Sequence, residues 1–344
     1  MNKTLIEWSK KNYSELPWRT NRSLYGTLVS EIMLQQTTVG TVLKHFDRFM
    51  AAYPTVKTLA QASQEDVMKN WQGLGYYRRA RSLHSAAIEI CEKFNGEIPT
   101  DKEELLKIKG IGDYTASALR SIGANIPDLS VDANLERVLA RFYAIEEHKG
   151  PKLQKKLRQL FENNEICQSI ESLGARNLNE ALMDLGRRIC QARTSACELC
   201  PLKENCQGRA NPLMYPVVKE SLVADSNYFD LHLLRLVLRK EGKVLVYKKR
   251  SDEWLSGQYE VPTFTLFSED ESLKQYPQLE FSNYDLLPWL KTGITKYRIM
   301  NFVMALSESE FSTLGLNLSE FSWEKIPDIH LSTGSLKAIS LLDK

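Results

Sequence analysis

Four cysteines crowded into one short segment constrain this chain more than any other feature of its sequence. They follow the pattern Cys190-x6-Cys197-x2-Cys200-x5-Cys206. Four thiolates so close along the chain can bind one metal centre without closing a long loop. Both a tetrahedral zinc ion and a cubane iron–sulfur cluster take four cysteine ligands. Because four unligated cysteines this close together would be unusual, the segment predicts a metal centre of one of these two kinds.

The rest of the composition indicates a two-domain globular protein. The 344 residues exceed one typical core, and 43% hydrophobic with 26% charged residues is ordinary for a globular chain. The formal net charge is only +2, so any surface that binds nucleic acid must be basic locally. No apolar run is long enough to span a bilayer, and no secretory signal follows Met1. We therefore expect a cytoplasmic monomer without a membrane partner, in which Cys91 and Cys167 are core residues.

Hydrophobic periodicity divides the chain into two parts. Apolar residues recur at three- and four-residue spacing up to about residue 190, which predicts an all-helical body over 1–210. Breakers and polar residues predict a linker over 211–228. In residues 229–344 we expect a mixed domain with a strand over 229–238, a hairpin to 243–247, a strand over 298–306 and a last helix over 335–342.

Two glycines one residue apart, Gly110 and Gly112, separate two helical patterns. Glycines let a backbone approach phosphate closely, and the N–H groups that open the next helix can bind it. Alone, such a pair is as consistent with a tight turn between helices. Asp132 follows some 20 residues later at the start of another helix, where an isolated aspartate is more often an N-cap than a catalyst.

Glu31 is followed by the apolar run Ile32–Leu34 within the segment Val29–Thr37. Burial of such a carboxyl would raise its pKa and make it a general acid. Without further context, a glutamate in a helix is more often solvated.

These features together resemble the MutY adenine glycosylases of the helix-hairpin-helix, or endonuclease III, superfamily. The cysteine spacing matches the family's [4Fe–4S] loop in full, and the Gly-Ile-Gly-x-x-Thr-Ala core of its hairpin is intact. The segments Leu16–Arg19, Val29–Thr37 and Trp71–Arg81 are typical of the adenine-specific members. The resemblance implies a mainly α, two-lobed glycosylase body that acts on double-stranded DNA with a mispaired adenine. It also implies a bacterial, nucleoid-associated enzyme of base excision repair.

The resemblance also assigns roles to individual residues. Glu31 would protonate adenine at N7, and Asp132 would stabilise the oxocarbenium-like sugar. The family commonly has Asp-Gly-Asn where this chain has Asp132, Ala133 and Asn134. Asn134 and Tyr114 would orient the two carboxyls. The residues implied in DNA or base contacts are Trp18, Arg19, Leu34, Gln35, Gln36, Thr37, Tyr76, Arg78, Gly110, Gly112 and Glu180, with Arg79 and Arg81 also able to meet phosphates.

Tyr114 separates this chain from the closest alternative, an endonuclease III-like lyase acting on oxidised pyrimidines. Lyases of that type place a lysine here and form a Schiff base with the sugar, which a tyrosine cannot do. A second alternative is a non-enzymatic iron–sulfur protein that binds DNA. It has no need of Glu31 and Asp132. A third is a zinc-stapled structural protein.

Residues 229–344 resemble the Nudix-like C-terminal domain of the family, which inspects 8-oxoguanine opposite the adenine. The matching pieces are the hairpin around Gly242 and the segment Trp254–Pro262. No Nudix hydrolase box follows, so we expect no nucleotide hydrolysis. Where the family usually has Phe-Ser-His, this chain has Ile294–Lys296, in which Thr295 can still donate a hydrogen bond to the oxidised guanine. An ordinary strand end explains that segment equally well.

Overall fold

Contacts along the backbone divide the chain into two compact units, Met1–Ser221 and Leu222–Lys344. The structure, a computed structural model, describes residues 1, 3–162, 166–217, 228–316 and 318–343. Most of the predicted linker, residues 218–227, lies outside the described residues. Within the described parts, no helix is both long and apolar enough to cross a membrane.

The first unit is helical, as the sequence predicts. Its α-helices are α1 Lys3–Tyr13, α2 Pro17–Thr20, α3 Leu24–Leu34, α4 Val39–Leu43, α5 Phe46–Ala52, α6 Val56–Gln61, α7 Gln64–Asn70, α8 Arg78–Phe94, α9 Lys102–Leu106, α10 Asp113–Ala118, α11 Ala133–Phe142, α12 Pro151–Glu162, α13 Cys167–Leu173 and α14 Ala175–Arg188. One π-helical turn, Leu119–Gly123, continues α10. Side-chain oxygens of Ser23, Thr38, Ser63, Asp101 and Asp132 cap the starts of five helices, which satisfies their free backbone N–H groups.

Two hydrophobic cores give this unit two lobes. The first core joins residues of α2 to α10, from Trp18 to Leu119. The second joins α1 to α11–α14, so that Leu5 and Ile6 at the start of the chain pack with Leu129–Leu202. Helices α3, α10 and α14 all contact the π-helical turn Leu119–Gly123. This turn therefore lies where the two lobes meet, a position in which π-helical turns often mark functional sites.

The second unit is an α+β domain with two sheets. In the first sheet the order is β5 (Thr263–Ser268), β1 (Phe229–Val237), β7 (Tyr297–Ala305) and β6 (Trp289–Ile294), with β1 parallel to β7 and the other pairs antiparallel. The second sheet contains β2 (Arg239–Lys240), β3 (Lys243–Lys248) and β4 (Tyr259–Glu260), with β8 (Ser322–Glu324) paired to β3. The helices are α15 Glu308–Thr313 and α16 Thr333–Leu341.

The predicted long hairpin from residues 229–238 to 243–247 is wrong in its pairing. Of the residues before the turn at Gly242, Arg239 and Lys240 pair with β3, and the Leu238 carbonyl accepts a hydrogen bond from the Leu245 N–H at 3.1 Å. Strand β1 instead lies between β5 and β7, because its second half, Leu233–Val237, is buried on both faces. Alternating burial is typical of a half-exposed hairpin, whereas a continuous buried run is typical of a central strand. The predicted strand over 298–306 and the last helix are confirmed to within two residues.

Candidate active site

A cavity of about 710 Å³ opens between the two lobes of the helical unit. Its volume is in the range of small-ligand sites. Helices α3, α10, α11 and α14 each contribute side chains to its wall. The lining residues are Leu16, Trp18, Arg19, Thr27, Ser30, Glu31, Leu34, Gln35, Gln36, Thr37, Thr38, Val39, Tyr114, Ile122, Val131, Asp132, Ala133, Asn134, Glu180, Met183, Asp184 and Arg187. The structure therefore brings most of the predicted site residues together around one space.

Glu31 faces this cavity from the last turns of α3 and is only 5% exposed. Tyr114, on α10, donates a hydrogen bond from its hydroxyl to Glu31 Oε2. Burial and the negative charge of Asp132 raise the pKa of Glu31 to about 7, against the opposing effect of the Tyr114 hydrogen bond. A carboxyl with this pKa exchanges protons near neutral pH, as a general acid must.

Asp132 is both the N-cap of α11 and part of the cavity wall. Its Oδ1 accepts hydrogen bonds from the backbone N–H groups of Asn134 and Leu135, at 2.9 and 2.7 Å. Its Oδ2 accepts one from the Asn134 side-chain amide at 2.7 Å. Burial raises the pKa of Asp132, and these three hydrogen bonds oppose that shift. Asp132 therefore caps α11 and faces the cavity at the same time, so the N-cap interpretation and the catalytic interpretation are compatible.

Asn179, a fully buried residue of α14, fixes the segment that leads to Asp132. Its Oδ1 accepts hydrogen bonds from the backbone N–H and the hydroxyl of Ser130, at 2.9 and 2.8 Å. Its amide donates to the carbonyl of Asp128 at 3.0 Å. No role for this asparagine was predicted from the sequence. A buried amide that satisfies neighbouring backbone groups carries no signal in a single sequence.

A cluster of opposite charges forms the α14 side of the cavity. Arg22 donates two hydrogen bonds to the Glu180 carboxylate, at 2.7 and 3.0 Å. Arg19 donates two to Asp184, at 2.8 and 3.2 Å, and its Nε lies 3.5 Å from Glu180 Oε1. Arg19 and Glu180 were predicted for this site, whereas Arg22 and Asp184 were missed. Arg22 lies only three residues beyond the Leu16–Arg19 motif.

The segment Leu34–Thr37 lines the cavity directly after α3. Gln36 adopts a left-handed conformation, with φ of +56°. Trp18 also lines the cavity, but it is 8% exposed and packs edge-on against Phe46 in the first core. Thus, its ring is fixed before any ligand arrives.

The residues of the segment Trp71–Arg81 differ in how exposed they are. Tyr76 is 63% exposed and has φ of +47°, and Arg78 is exposed at the start of α8. Arg79 was predicted to be able to meet phosphates, but it is buried and donates to protein oxygens instead. Residues three apart in a helix lie on the same face, so Arg78 and Arg81 share one side of α8 while Arg79 points into the protein.

The hairpin between α9 and α10 exposes Gly110 and Gly112. Gly110 has φ of +93°, and a Cβ there would lie 2.8 Å from the backbone oxygen of Ser82 in α8. Glycine is therefore required at this position by both conformation and packing. Gly112 has an extended backbone as the N-cap of α10 and faces open space.

All four cysteines of the loop 190–206 are free thiols of intermediate exposure. Burial and the charges of the other three cysteines raise the pKa of the Cys200 thiol to about 11, against the opposing hydrogen bond with the Leu202 backbone. Arg141 donates a hydrogen bond to Cys190 Sγ at 3.3 Å, and the charge of Arg137 also acts on that cysteine. Among the described residues, no group of three or more His, Cys, Asp or Glu side chains is placed to hold a single metal ion. The donor set nevertheless fits an anionic cluster, because four thiols lie within electrostatic range of one another beside two arginines.

In the second unit, Thr295 lies in the two-residue turn between β6 and β7. It is exposed and has φ of +50°. Lys296 beside it makes an ion pair with Asp270, with Nζ 3.3 Å from Oδ2. The predicted lesion contact therefore lies at the tip of a tight hairpin.

Comparisons with known proteins agree on one family. A profile of HhH-GPD superfamily base excision DNA repair proteins matches residues 29–163. An adenine DNA glycosylase of Buchnera aphidicola subsp. Baizongia pistaciae is 30% identical over 87% of this chain and 79% of its own length. One of Buchnera aphidicola subsp. Acyrthosiphon pisum is 33% identical over 71% of each chain. The solved structure of a thermostable thymine-DNA glycosylase covers 60% of this chain and 94% of its own, with 26% identity and a TM-score of 0.51.

Proposed function

Because this chain belongs to the HhH-GPD superfamily of base excision repair enzymes, as an adenine DNA glycosylase of the MutY type, we propose that it excises adenine mispaired with 8-oxoguanine or guanine. The observation that carries the mechanism is a buried carboxyl, Glu31, facing a second carboxyl, Asp132, across one cavity. Enzymes that cleave glycosidic bonds usually use two carboxyl groups in different environments.

The reaction begins when adenine leaves the base stack and enters the cavity. Extrusion costs about a few kcal/mol, and less for a mispaired base. The duplex is held by phosphate contacts from exposed Arg78 and from the backbone N–H groups of the hairpin at Gly110 and Gly112. Tyr76 and the segment Leu34–Thr37 enter the duplex beside the extruded nucleotide. Glu180 and Arg19 bind the edge of the adenine.

Glu31 then donates its proton to adenine N7, so that the base leaves as a neutral molecule. Tyr114 holds the Glu31 carboxyl in place. Asp132, oriented by Asn134, stabilises the positive charge that develops on the sugar, and water completes the hydrolysis. Tyr114 has no amine, so the product is an abasic site and not a cut strand.

The pH dependence of base release should report the Glu31 carboxyl. Only the protonated form can donate, and burial raises its pKa to about 7. We expect the single-turnover rate at saturating enzyme to fall about tenfold for each pH unit above 7. A rate that keeps rising up to pH 9 would show that Glu31 does not act as the acid.

The four cysteines 190, 197, 200 and 206 hold a [4Fe–4S] cluster in this proposal. When bound, the cluster supplies ligand bonds that close the loop against α11 and α14. Protein purified without oxygen should absorb in the visible range and contain about four iron and four sulfide per chain. Cys200→Ser should remove that absorbance and lower thermal stability, whereas Cys91→Ser, outside the loop, should keep both. Zinc with no iron would support the structural alternative.

Residues 229–344 read the base opposite the adenine as a Nudix-like domain, with Thr295 donating to 8-oxoguanine. We also infer a cytoplasmic, nucleoid-associated enzyme that acts as a monomer. The test is single-turnover cleavage of duplexes with adenine opposite 8-oxoguanine, guanine or cytosine, with and without alkali. We expect alkali-dependent scission, fastest opposite 8-oxoguanine. Equal rates opposite 8-oxoguanine and guanine would remove the lesion-reading role, and scission without alkali would favour a lyase.

A further inference from the structure

Arg79, in the first turn of α8, is a buried guanidinium without a carboxylate partner among the described residues. It is 8% exposed, and burial lowers its pKa to about 10. Burying an isolated cation is expensive unless its donors are satisfied. The proposed chemistry does not use Arg79, so its burial needs another explanation.

Neutral oxygens from two separate segments surround the guanidinium. Nη1 donates to the backbone carbonyls of Ile32, Met33 and Gln35, the first two at 3.0 and 2.7 Å. Nη2 donates to the Thr37 hydroxyl at 2.9 Å. It also donates to the carbonyls of Leu74 and Gly75, at 2.9 and 3.0 Å.

The first segment is the end of α3 and the residues that follow it. The last carbonyls of a helix have no partner inside the helix, and they form the negative end of its dipole. Arg79 therefore caps the helix that carries Glu31. It also fixes Leu34–Thr37, which lines the cavity.

The second segment is the loop that carries Tyr76. Gly75 and Tyr76 both have left-handed backbones, with φ of +67° and +47°. The guanidinium lies 5.5 Å from the centre of the Tyr76 ring and 5.6 Å from that of Trp71. Arg79, which caps α3, therefore also fixes the backbone of this loop through its hydrogen bonds to the carbonyls of Leu74 and Gly75.

We propose that Arg79 is a positioning residue that holds Leu34–Thr37 and Tyr76 in one fixed arrangement, so that both enter the duplex together when adenine is extruded. This inference rests on the proposed function and adds to it the residue that couples its two duplex-entering segments. Lysine cannot replace arginine here, because one ammonium group cannot reach six acceptors on two segments.

The test is Arg79→Lys, measured by single-turnover adenine release opposite 8-oxoguanine and opposite a tetrahydrofuran abasic analogue. We expect the rate opposite 8-oxoguanine to fall about 100-fold, since small misplacements of positioning groups have effects of that size. Opposite the analogue the adenine has no partner, so extrusion is easier and the rate should come within about fivefold of wild type. An equal loss on both duplexes would overturn the proposal, since general structural damage is not rescued by the substrate.

A double-mutant cycle with Tyr76→Ala gives a second readout. If Arg79 acts through the Tyr76 loop, the double variant should be no slower than about the slower single variant. Fold-losses that multiply would show that the two residues act independently and would overturn the coupling.

If Arg79→Lys does not fold, the comparison of Thr37→Val with Thr37→Ser replaces it. Valine removes the hydroxyl that accepts from Nη2, whereas serine keeps it. Slower release by the valine variant than by the serine variant, with the difference removed opposite the abasic analogue, supports the proposal, and equal rates of the two variants on both duplexes overturn it. Wild type is measured in parallel: failure of wild type to release adenine refutes the proposed function, whereas an active wild type with unaffected variants refutes only this inference.

Discussion

Glu31→Gln is expected to slow adenine release by about 10²–10⁴-fold while leaving duplex affinity within about threefold of wild type. Glutamine keeps the shape of the side chain and an oxygen that accepts from the Tyr114 hydroxyl, but it has no proton to donate to N7. General acid catalysis contributes an effect of this size. The measurements are single-turnover release opposite 8-oxoguanine and equilibrium binding to the same duplex.

We also expect the Glu31→Gln variant to fold, because the pKa of Glu31 is raised in the folded protein. The folded protein binds the Glu31 proton more tightly than the unfolded chain, so the carboxyl becomes destabilising as pH rises from 4.5 through about 7. At pH 8 this penalty is about 3 kcal/mol, and glutamine does not incur it. Thermal stability at pH 8 should therefore equal or exceed that of wild type.

Glu136→Gln is the matched control, because Glu136 is also a buried carboxyl of the helical unit but does not line the cavity. Its Oε1 accepts from the backbone N–H of Gly150. We expect release by this variant within about threefold of wild type. Normal release by Glu31→Gln would refute the assignment of the acid.

Asp132→Asn is expected to slow release by about 10³-fold, because it removes the negative charge that faces the developing cation on the sugar. Asparagine is a good N-cap and can still accept from the N–H groups of Asn134 and Leu135. Its own amide would meet the Asn134 amide, donor against donor. We therefore expect a loss of about 1 kcal/mol in the free energy of unfolding.

Asp101→Asn separates the two roles of such a residue. Asp101 caps α9 by accepting from the Glu104 N–H at 3.0 Å, and it lies outside the cavity wall. This variant should lose little stability and keep its rate. If Asp132→Asn releases adenine within about threefold of wild type, the second carboxyl has only a capping role.

The sequence predicts residues that the structure brings together at the centre of the cavity. The family resemblance marks Glu31, Asp132 and Tyr114 as the proposed catalytic groups, because each is a residue type that the chemistry requires. The structure places all three on one cavity. Helical periodicity likewise predicts the helical unit, because each helix buries one face.

What the sequence does not predict are side chains whose role depends on contacts far along the chain. Asn179 bonds to Ser130, 49 residues earlier, and Arg79 bonds to Ile32, 47 residues earlier. Arginine is usually exposed, so composition assigns Arg79 to a basic surface. The pairing of β1 with β5 and β7 was missed for the same reason, because sheet order is set by distant partners.

The most direct test of the central claim is to identify the base that the enzyme releases. Wild-type protein is mixed with two duplexes, one with adenine opposite 8-oxoguanine and one with an oxidised pyrimidine opposite adenine. The free bases are then identified by mass spectrometry. Our account predicts free adenine from the first duplex and no pyrimidine from the second. Release of the oxidised pyrimidine without adenine would contradict it and establish the lyase-type alternative.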